Sequence, residues 1–380
     1  MRIGITCPYD LFKGGGVQEH VLGLREELAR RGHYARILTP QPRDFDGDFP
    51  DYVIPVGVSV TSRAFGGTMA QYALSTDGAQ VDEVFERQRF DILHVHEPFL
   101  PFWGRQVVMR SPAANVATMH ARYYDTMTAK TIATVVTPYT KPLLKHFDAF
   151  TSVAEVSTEY FQTLSTEPIS IIPNAINVAK YNHAAKERRP SADNKTILFI
   201  GRLEPRKGVR YLISAFAELA KRRPSTRLLI AGSGPEELRL RNQVTELNVP
   251  RVEFDARFIP EDTKLDYLHR ADLFSSPARY GEAFGIVLLE AMAADLPVVA
   301  GDNIGYQGVM QGRGALSLVN PRDSVDFARR LELLLYDEPL RQLWKDWARD
   351  YVKQFDWRPV ADQYLKVYEQ AIKNHESRAA

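Results

Sequence analysis

The sequence predicts an α/β protein in which one chain forms two doubly wound parallel sheets. Three observations lead to this prediction: 380 residues exceed a typical single domain, strand-like apolar runs alternate with helical stretches, and the alternation restarts after a charged, polar segment at residues 181–194. We predict a first domain at residues 1–175 and a second at 176–356. A terminal helix at 357–380 is expected to pack back on the first domain.

The first half begins with a strand at residues 2–6 and a loop that ends in three glycines. Apolar residues between Val17 and Leu28 then recur every three or four positions, which predicts a helix with one apolar stripe. Gly32 is suited to a left-handed cap after that helix. The further strand candidates are residues 34–40, 51–56, 90–98, 115–121, 149–155 and 169–174.

The second half repeats the pattern. Its strand candidates are residues 196–202, 227–233, 252–258, 271–278, 296–302 and 315–321. Helical stretches such as residues 209–223 separate them, and the last helix candidate places Val360, Tyr364 and Tyr368 on one face. Ligands of doubly wound sheets bind beside the carboxyl ends of strands, so residues that directly follow strands are the site candidates.

The amino-acid composition and net charge of the chain exclude several classes of protein. Hydrophobic residues make up 44% and charged residues 25% of the chain, as in soluble globular proteins. A net charge of +1 argues against a nucleic acid held by bulk charge. Cys7 is the single cysteine, which excludes an internal disulfide and indicates a reducing cytosol. No run of 18 apolar residues occurs and the start turns polar early, so we expect any membrane contact to be peripheral.

Two stretches are candidates for binding an anion. Gly14–Gly16 lies between the first strand and the first helix, where glycine lets the backbone approach a ligand, although an ordinary tight turn has the same pattern. The G-x-G-x-x-G fingerprint is absent. Arg202, Arg206 and Lys207 cluster after a strand, a combination that suits a diphosphate; a solvated loop is the alternative.

The stretch GEAFGIVLLEAMAADLPVV holds two glutamates. Phe284–Ile286 are predicted to begin a helix, so their amides can bind a hydroxyl or a phosphate oxygen. Glu282 precedes this helix and can accept hydrogen bonds from sugar hydroxyls, while Glu290, a little over two turns in, can reach a ribose diol. Both glutamates could instead be surface charges, but the apolar flanks of Glu290 weigh against that.

Histidines and aspartates give weaker signals. His120 ends a predicted strand at the sheet edge, where its imidazole could touch a sugar. His94 and His96 share one strand face and resemble part of a metal site, but no third ligand spacing follows. The Asp46–Gly47–Asp48 run could bind a divalent ion, although turn chemistry explains it better. We therefore predict no metal.

Together these residues resemble the retaining glycosyltransferases of family four, whose GT-B fold has two Rossmann-like domains facing across a cleft. Within the family they are most similar to the bacterial phosphatidylinositol mannosyltransferases. The resemblance covers nearly the whole chain, and the glutamate pair with its FG and EAMA is its most specific part. The matching stretches are CPYDLFKGGGVQEHV, DILHVHEP, VATMHA, IIPNAIN, FIGRLEPRKG, GEAFGIVLLEAMAADLPVV and FDW.

The resemblance implies a nucleotide-diphospho-sugar donor, with GDP-mannose favoured, and no metal or cofactor. It assigns the diphosphate to Gly15, Gly16, Arg202 and Lys207, the sugar to Glu282, Phe284, Gly285 and Ile286, the ribose to Glu290, and a place near the sugar ring to His120. His120, Glu282, Arg202 and Lys207 form the implied catalytic set, since two cations replace the metal.

The resemblance is less specific about the molecule that accepts the sugar. A lipid-linked polyol such as phosphatidylinositol is the expected acceptor, Tyr9 and Gln18 match positions used around inositol, and the enzyme would act at the cytoplasmic face of the membrane. The Tyr-Asn pair of the mannosyltransferases would fall near Val56 and Gly57 here, and residues 77–91 lack their basic character. Asp295 stands where the family has glycine and must adopt a left-handed turn.

Residues 126–147 contain three lysines, no acid and many apolar residues, which fits either docking on anionic lipid or an ordinary core segment. Three alternatives to mannosyl transfer remain open at this point. Besides mannosyl transfer, the pattern fits a transferase that uses UDP-glucose on another lipid or polysaccharide, or a nucleotide-sugar epimerase. A non-catalytic nucleotide-sugar sensor is the third.

Overall fold

The structure is a computed structural model that describes residues 1–12, 14–43, 45, 47–63, 69–73, 76–100, 103–122, 137–185 and 194–380. The chain divides into two compact units: unit 1 is Met1–Ala175 with Trp357–Ala380, and unit 2 is Ile176–Asp356. Tyr181, the first residue of the charged, polar segment at residues 181–194, is buried in a helix of unit 2. The chain therefore passes between the units before the charged segment.

The strands and helices alternate along both units. The strands are β1 Arg2–Thr6, β2 Tyr34–Gln41, β3 Val53–Arg63, β4 Met69–Ala73, β5 Ile92–His96, β6 Ala114–Met119, β7 Ala149–Ser152, β8 Ile169–Ile171, β9 Thr196–Ile200, β10 Arg227–Ala231, β11 Val252–Asp255, β12 Leu273–Ser276, β13 Val298–Gly301 and β14 Leu318–Val319. The helices are α1 Gly16–Arg30, α2 Gly78–Gln88, α3 Trp103–Arg110, α4 Glu159–Gln162, α5 Val178–Ala185, α6 Val209–Arg222, α7 Glu237–Glu246, α8 Glu261–Arg270, α9 Ile286–Ala293, α10 Ile304–Val309, α11 Ser324–Tyr336, α12 Glu338–Tyr351 and α13 Trp357–Ala379.

Unit 1 contains an eight-stranded sheet in the order β4-β3-β2-β1-β5-β6-β7-β8. Every pairing is parallel except that of β3 with β4, which is antiparallel. The sequence did not predict β4, because its residues MAQYA are few and not consistently apolar. The strand order reverses between β1 and β5, so the carboxyl ends of these two strands flank the crevice where doubly wound sheets bind ligands.

Two apolar clusters cover this sheet. One contains residues of α2, α3 and α4, and the other contains residues of α1 and α13. Val360, Tyr364 and Tyr368 of α13 are fully buried in the second cluster, so the last helix belongs to unit 1. Removing Tyr364 or Tyr368 would open a large cavity beneath the strands that carry the site.

Unit 2 contains a six-stranded sheet in the order β11-β10-β9-β12-β13-β14, and all of its pairings are parallel. The predicted pair of doubly wound parallel sheets is therefore confirmed. The order reverses between β9 and β12, which pair at Leu273 with Ile197. Loops that follow these two strands lie at the ligand-binding edge of the sheet.

Candidate functional site

The carboxyl edge of unit 2 brings basic and acidic side chains together. A short 3₁₀ turn after β9, Pro205–Lys207, carries two cations, and the loop after β12 carries Glu282. Lys207 Nζ and Arg206 Nη1 each lie 2.7 Å from Glu282 Oε1. Since β9 and β12 are neighbours, the fold itself places these side chains side by side.

The same edge holds Arg202 and Glu204. Arg202 Nη2 lies 3.1 Å from Glu204 Oε1, and Arg206 Nε lies 2.9 Å from Glu204 Oε2. We call Arg202, Arg206, Lys207, Glu204 and Glu282 the cation cluster; its three cations outnumber its two carboxylates. This excess suits an anionic ligand. The sequence named Arg206 as a candidate for binding an anion, but the set implied by the resemblance omits it. Glu204 was not predicted, although the sequence GRLEPRKG places it beside these cations.

Burial and charge act in opposite directions on the arginines of the cation cluster. Burial lowers the pKa of Arg202, and the neighbouring charge of Arg206 adds to this effect. Burial acts in the same direction on Arg206, but the carboxylates of Glu282 and Glu204 outweigh it and raise the Arg206 pKa. Arg206 pairs with both Glu204 and Glu282, whereas Arg202 pairs with Glu204 and its side chain is 46% exposed and accessible to a ligand.

The start of α9 lies beside Glu282. Gly285 precedes this helix with φ 100°, and a Cβ atom on it would come within 2.6 Å of the Tyr306 ring. Glycine is therefore required here for both backbone conformation and space. The Tyr306 hydroxyl bonds Ser276 Oγ at 2.7 Å and fixes the ring under the turn. The first amides of α9, from Phe284 to Ile286, precede the first intrahelical bonds and can bind an oxygen.

Glu290 has protein partners already. It lies one turn into α9, which begins at Ile286 rather than at Phe284, so the predicted depth of two turns is wrong. The carboxylate is buried, and its Oε1 accepts hydrogen bonds from Tyr181 Oη at 2.9 Å and Lys264 Nζ at 2.8 Å. Among the described residues both of these bonds end on Oε1, and none is made to Oε2.

In unit 1 the glycine loop precedes α1. A Cβ atom on Gly16 would meet no atom within 4 Å, so this position opens onto free space. A Cβ atom on Gly15 would come within 2.6 Å of Gln18 Oε1, because Gln18 folds back to donate a hydrogen bond to the Asp10 carbonyl. Tyr9 is half-buried in the same loop, and its carbonyl accepts a bond from Thr39. Tyr9 and Gly15 thus lie in the loop, Gly16 and Gln18 lie in the first turn of α1, and the bond from Gln18 to the Asp10 carbonyl joins the loop to the helix.

Four imidazoles gather at the carboxyl edge of this sheet. His94 and His96 come from β5, His120 directly follows β6, and His20 comes from α1. His96 Nδ1 lies 2.7 Å from His120 Nε2, and the ring centroids of His20 and His120 are 4.9 Å apart. The sequence did not point to His20, and it suggested His94 and His96 only as part of a metal site, because the cluster assembles from three separate elements.

Two tyrosines of helix α13 bond to imidazoles of this group. The Tyr364 hydroxyl bonds His20 Nε2 at 3.2 Å, and the Tyr368 hydroxyl bonds His94 Nδ1 at 2.8 Å. The signal for this contact was present in the sequence, because both tyrosines lie on the predicted buried face of the last helix. The last helix of the chain thus supports the site of the first unit.

All four imidazoles are neutral. Burial lowers the pKa of His20 to about 4. Burial also lowers the pKa values of His94, His96 and His120 well below their usual range, and repulsion among the four rings adds to the effect. Each ring therefore carries one proton at neutral pH and acts as one donor and one acceptor.

The hydrogen bonds indicate which nitrogen carries the proton. His96 Nε2 is buried and has no partner among the described residues. A proton there would be an unpaired buried donor, which is more costly than an unpaired lone pair. We therefore assign the His96 proton to Nδ1, from which it is donated to His120 Nε2. The proton of His120 then lies on Nδ1, which makes that nitrogen a hydrogen-bond donor.

His20, His96 and His120 are also the residues of the described part that could hold a metal ion, because one nitrogen from each lies within 4.8 Å of the others. Neutral imidazoles are good ligands for Zn²⁺. His96 Nδ1, His120 Nε2 and His20 Nε2 are hydrogen-bonded, whereas His96 Nε2 and His20 Nδ1 are buried without a partner among the described residues. Asp46 of the aspartate run lies outside the described residues.

The segment at 126–147 lies partly outside the described residues. In its described portion Leu143 and Phe147 are buried, while Lys141 and Lys145 are exposed. The apolar side chains here contribute to the core of unit 1, as the core alternative predicts. Among the helices that the structure describes, none has the length and apolar character needed to cross a bilayer.

Comparison with known sequences gives matches across the whole chain. The family described as Glycosyltransferase Family 4 matches residues 14–180, and the family described as Glycosyl transferases group 1 matches residues 182–351. The phosphatidyl-myo-inositol mannosyltransferase of Mycolicibacterium smegmatis is 32% identical over 372 residues, which are 97% of this chain and 94% of that protein.

Solved structures share the fold. The sucrose-phosphate synthase of Thermosynechococcus elongatus has a TM-score of 0.74 at 21% identity, over 97% of this chain and 98% of that one. The Anabaena protein HepE, solved with UDP and glucose, has a TM-score of 0.70 at 20% identity, over 96% and 98%. At these identities the likeness shows a shared fold only.

Proposed function

Because this chain belongs to glycosyltransferase family 4, we propose that it transfers mannose from GDP-mannose to phosphatidylinositol, with retention of configuration at the anomeric carbon. The observation that carries the proposal is that Lys207 and Arg206 both pair with Glu282. This contact lies at the edge of unit 2 where the strand order reverses between β9 and β12. The mannosyltransferase relative, which matches 97% of this chain, supports the choice of sugar and acceptor.

The cation cluster would receive the diphosphate of the donor. Negative charge grows on the leaving diphosphate as the bond from the anomeric carbon breaks, and fixed cations stabilise that charge without reorganising. Arg202 is the most exposed of the three cations and Lys207 contributes a point charge. Gly15 and Gly16 would add backbone amides, because Gly16 leaves open space above the loop.

Glu282 would hold the sugar. Without ligand it is paired with Lys207 and Arg206, so its carboxylate is fixed in one orientation beside the start of α9. When a diphosphate competes for Lys207, Arg206 keeps Glu282 in place, while the second carboxylate oxygen accepts a bond from a sugar hydroxyl. The amides of Phe284, Gly285 and Ile286 would bind a further oxygen of the ring substituents.

The acceptor hydroxyl would attack the face from which the diphosphate leaves. The new bond forms between the acceptor oxygen and the anomeric carbon, the bond to the diphosphate breaks, and a phosphate oxygen of the leaving group takes the acceptor proton. His120 would act as a neutral donor to the sugar through Nδ1, because its Nε2 accepts from His96. A neutral donor of this kind does not serve as the general base.

We also propose residues that contact the ribose of the donor and the inositol of the acceptor. Glu290 Oε2 would accept a bond from the ribose, and Tyr9 and Gln18 would contact the inositol. Two fixed cations replace a metal ion in this proposal, so catalysis is metal-independent and needs no cofactor. A lipid acceptor places the reaction at a membrane surface, and we propose peripheral binding at the cytoplasmic face.

A donor panel tests the proposal. GDP-mannose, UDP-glucose and ADP-glucose are each incubated with the protein, with and without phosphatidylinositol vesicles, in buffer containing EDTA. We expect transfer only from GDP-mannose, only with the lipid, and an α-linked product by NMR. Transfer from UDP-glucose alone, an epimerised sugar without acceptor, or loss of activity in EDTA would each contradict a named part of the proposal.

A further inference from the structure

Three arginines surround one tyrosine on unit 2. Arg210 Nη2 donates to the Tyr211 hydroxyl at 2.7 Å, and Arg279 Nη1 donates to the same oxygen at 3.0 Å. Arg322 is near enough to lower the Tyr211 pKa as well. We call Arg210, Arg279 and Arg322 the arginine cluster. Two guanidinium groups within 3.0 Å of one oxygen are necessarily close neighbours of like charge.

Three separate elements build this cluster. Arg210 lies in the first turn of α6, Arg279 follows β12, and Arg322 follows β14. The Arg279 amide donates to the Arg206 carbonyl at 3.0 Å, so the arginine cluster borders the cation cluster through the backbone. The side chains differ in their partners, because Arg206 contacts carboxylates whereas Arg210 and Arg279 share a phenol.

The arginine cluster lacks counter-charge. Within the part of the chain that the structure describes, no carboxylate forms an ion pair with any of its three arginines, whereas Arg222 and Arg223 on the same unit share Glu332. The buried Arg210 Nε has no partner among the described residues. Guanidinium groups gathered without a carboxylate leave a local excess of positive charge that an anion would neutralise.

The pKa of Tyr211 reflects this excess of positive charge. Burial alone would raise the Tyr211 pKa, but the bonds and charges of Arg210, with those of Arg279 and Arg322, lower it below its usual value. The guanidinium groups of Arg210 and Arg279 also lie over the Tyr211 ring, 4.6 Å and 5.3 Å from its centroid. Stacking on an aromatic ring orients a guanidinium before any ligand binds.

We propose that Arg210, Arg279 and Arg322 form a binding site for a phosphate group, separate from the diphosphate site of the cation cluster. The planar guanidinium fork matches the spacing of phosphate oxygens and binds them by paired hydrogen bonds. The phosphate belongs either to a soluble phosphorylated molecule or to a phospholipid headgroup, since both present the same oxygens. This site does not depend on which sugar or acceptor the protein uses.

Calorimetric titration with inorganic phosphate tests the site, with every protein carrying Lys207→Ala so that the cation cluster contributes little. In this background we compare Arg279→Ala, Arg322→Ala and the control Arg222→Ala, which removes an equal charge from the same unit. Charge-assisted hydrogen bonds to a charged group are strong enough that each cluster variant should bind phosphate about tenfold more weakly. The control should bind as the background does. Melting temperatures establish that each variant is folded.

Vesicle sedimentation identifies the source of the phosphate. Vesicles of phosphatidylcholine, with and without phosphatidylglycerol, are mixed with the Arg279→Ala, Arg322→Ala double variant and with Arg222→Ala. A selective loss of binding to the anionic vesicles assigns the site to a lipid headgroup, and unchanged vesicle binding with weakened phosphate binding assigns it to a soluble phosphate. Phosphate binding that vanishes with Lys207→Ala alone, or that equals the background in all folded variants, overturns the proposal.

Discussion

In both units the candidate residues lie at the carboxyl edge of a doubly wound sheet, but the side chains there are charged in unit 2 and neutral in unit 1. In unit 2 the switch point carries charged side chains that pair with one another, such as Lys207 with Glu282. In unit 1 the equivalent edge carries imidazoles that burial keeps neutral, such as His96 and His120. Similar topology therefore does not dictate similar electrostatics.

The different solvent exposure of the side chains explains why one edge is charged and the other is neutral. The Arg202 side chain is 46% exposed, so water sustains its charge until a ligand arrives, whereas His120 is only 8% exposed and cannot keep a second proton. A charged edge suits a leaving group that accumulates charge, and a neutral edge suits a sugar that must be oriented by hydrogen bonds. The following changes test this division of roles, in order of expected effect.

Lys207→Ala removes one of the fixed cations proposed for the diphosphate. Loss of one preorganised charge-stabilising group typically lowers kcat by about 10² to 10³, and we expect a loss of that size here. Steady-state kinetics with the active donor measures it. Lys221→Ala is the matched control, because Lys221 is exposed and pairs with Glu218 on the same unit. A loss below threefold in Lys207→Ala would remove this lysine from the chemistry.

His96→Phe removes the group that donates to His120 Nε2. Without that donor His120 can place its proton on either nitrogen, so we expect kcat to fall about tenfold, the value of one hydrogen bond, with little change in KM. Nitrogen NMR of His120 should show a mixture of tautomers. His94→Phe is the matched control, because His94 is equally buried but bonds Tyr368 and Thr118 instead. Unchanged nitrogen shifts in His96→Phe would contradict the proton assignment.

Acid should destabilise unit 1 before unit 2. Burial depresses the pKa of His20 to about 4 and lowers those of the other three imidazoles, so unfolding lets each take up a proton below pH 6.5. Their stabilisation is complete above that pH and is lost as pH falls toward 4, by about 1.4 kcal/mol per pH unit for each histidine. In unit 2 burial would raise the Glu332 pKa, but Arg222 and Arg223 lower it from 4.5, so that loss comes at more acidic pH.

Urea unfolding at pH 7.5, 6.5 and 5.5, with pulsed hydrogen exchange at one fixed pH and detection by mass spectrometry, resolves the two units. The urea midpoint of unit 1 should fall with pH while that of unit 2 stays nearly constant. Equal shifts in both units would show that the buried imidazoles do not govern the difference.

The repeated alternation of strands and helices was enough to predict both sheets, because parallel strands buried on two faces are nearly continuous apolar runs. Asp295 was predicted to adopt a left-handed turn, and its φ is 62°. The sequence did not reveal what compensates for that backbone, namely the ion pairs of Asp295 with Lys345 at 2.6 Å and Arg349 at 2.8 Å.

The site was predictable only where its residues are close in sequence. The GRLEPRKG loop identified the cations because it lies directly after β9, and the FG turn identified Gly285 because it lies at the start of a predicted helix. The partners of Glu290 and the ring contacts of His20 come from helices far along the chain, and no spacing in one stretch encodes them. Tertiary packing decides which of several histidines meet.

The central claim is that Glu282 holds the transferred sugar while neighbouring cations hold the diphosphate. Glu282→Ala tests it most directly when nucleoside diphosphate affinity and transfer rate are measured on the same preparation. We expect GDP affinity to be unchanged or tighter, since Lys207 and Arg206 lose a competing carboxylate, and the transfer rate to be lower by about 10² or more. A parallel loss of GDP affinity and transfer would contradict it.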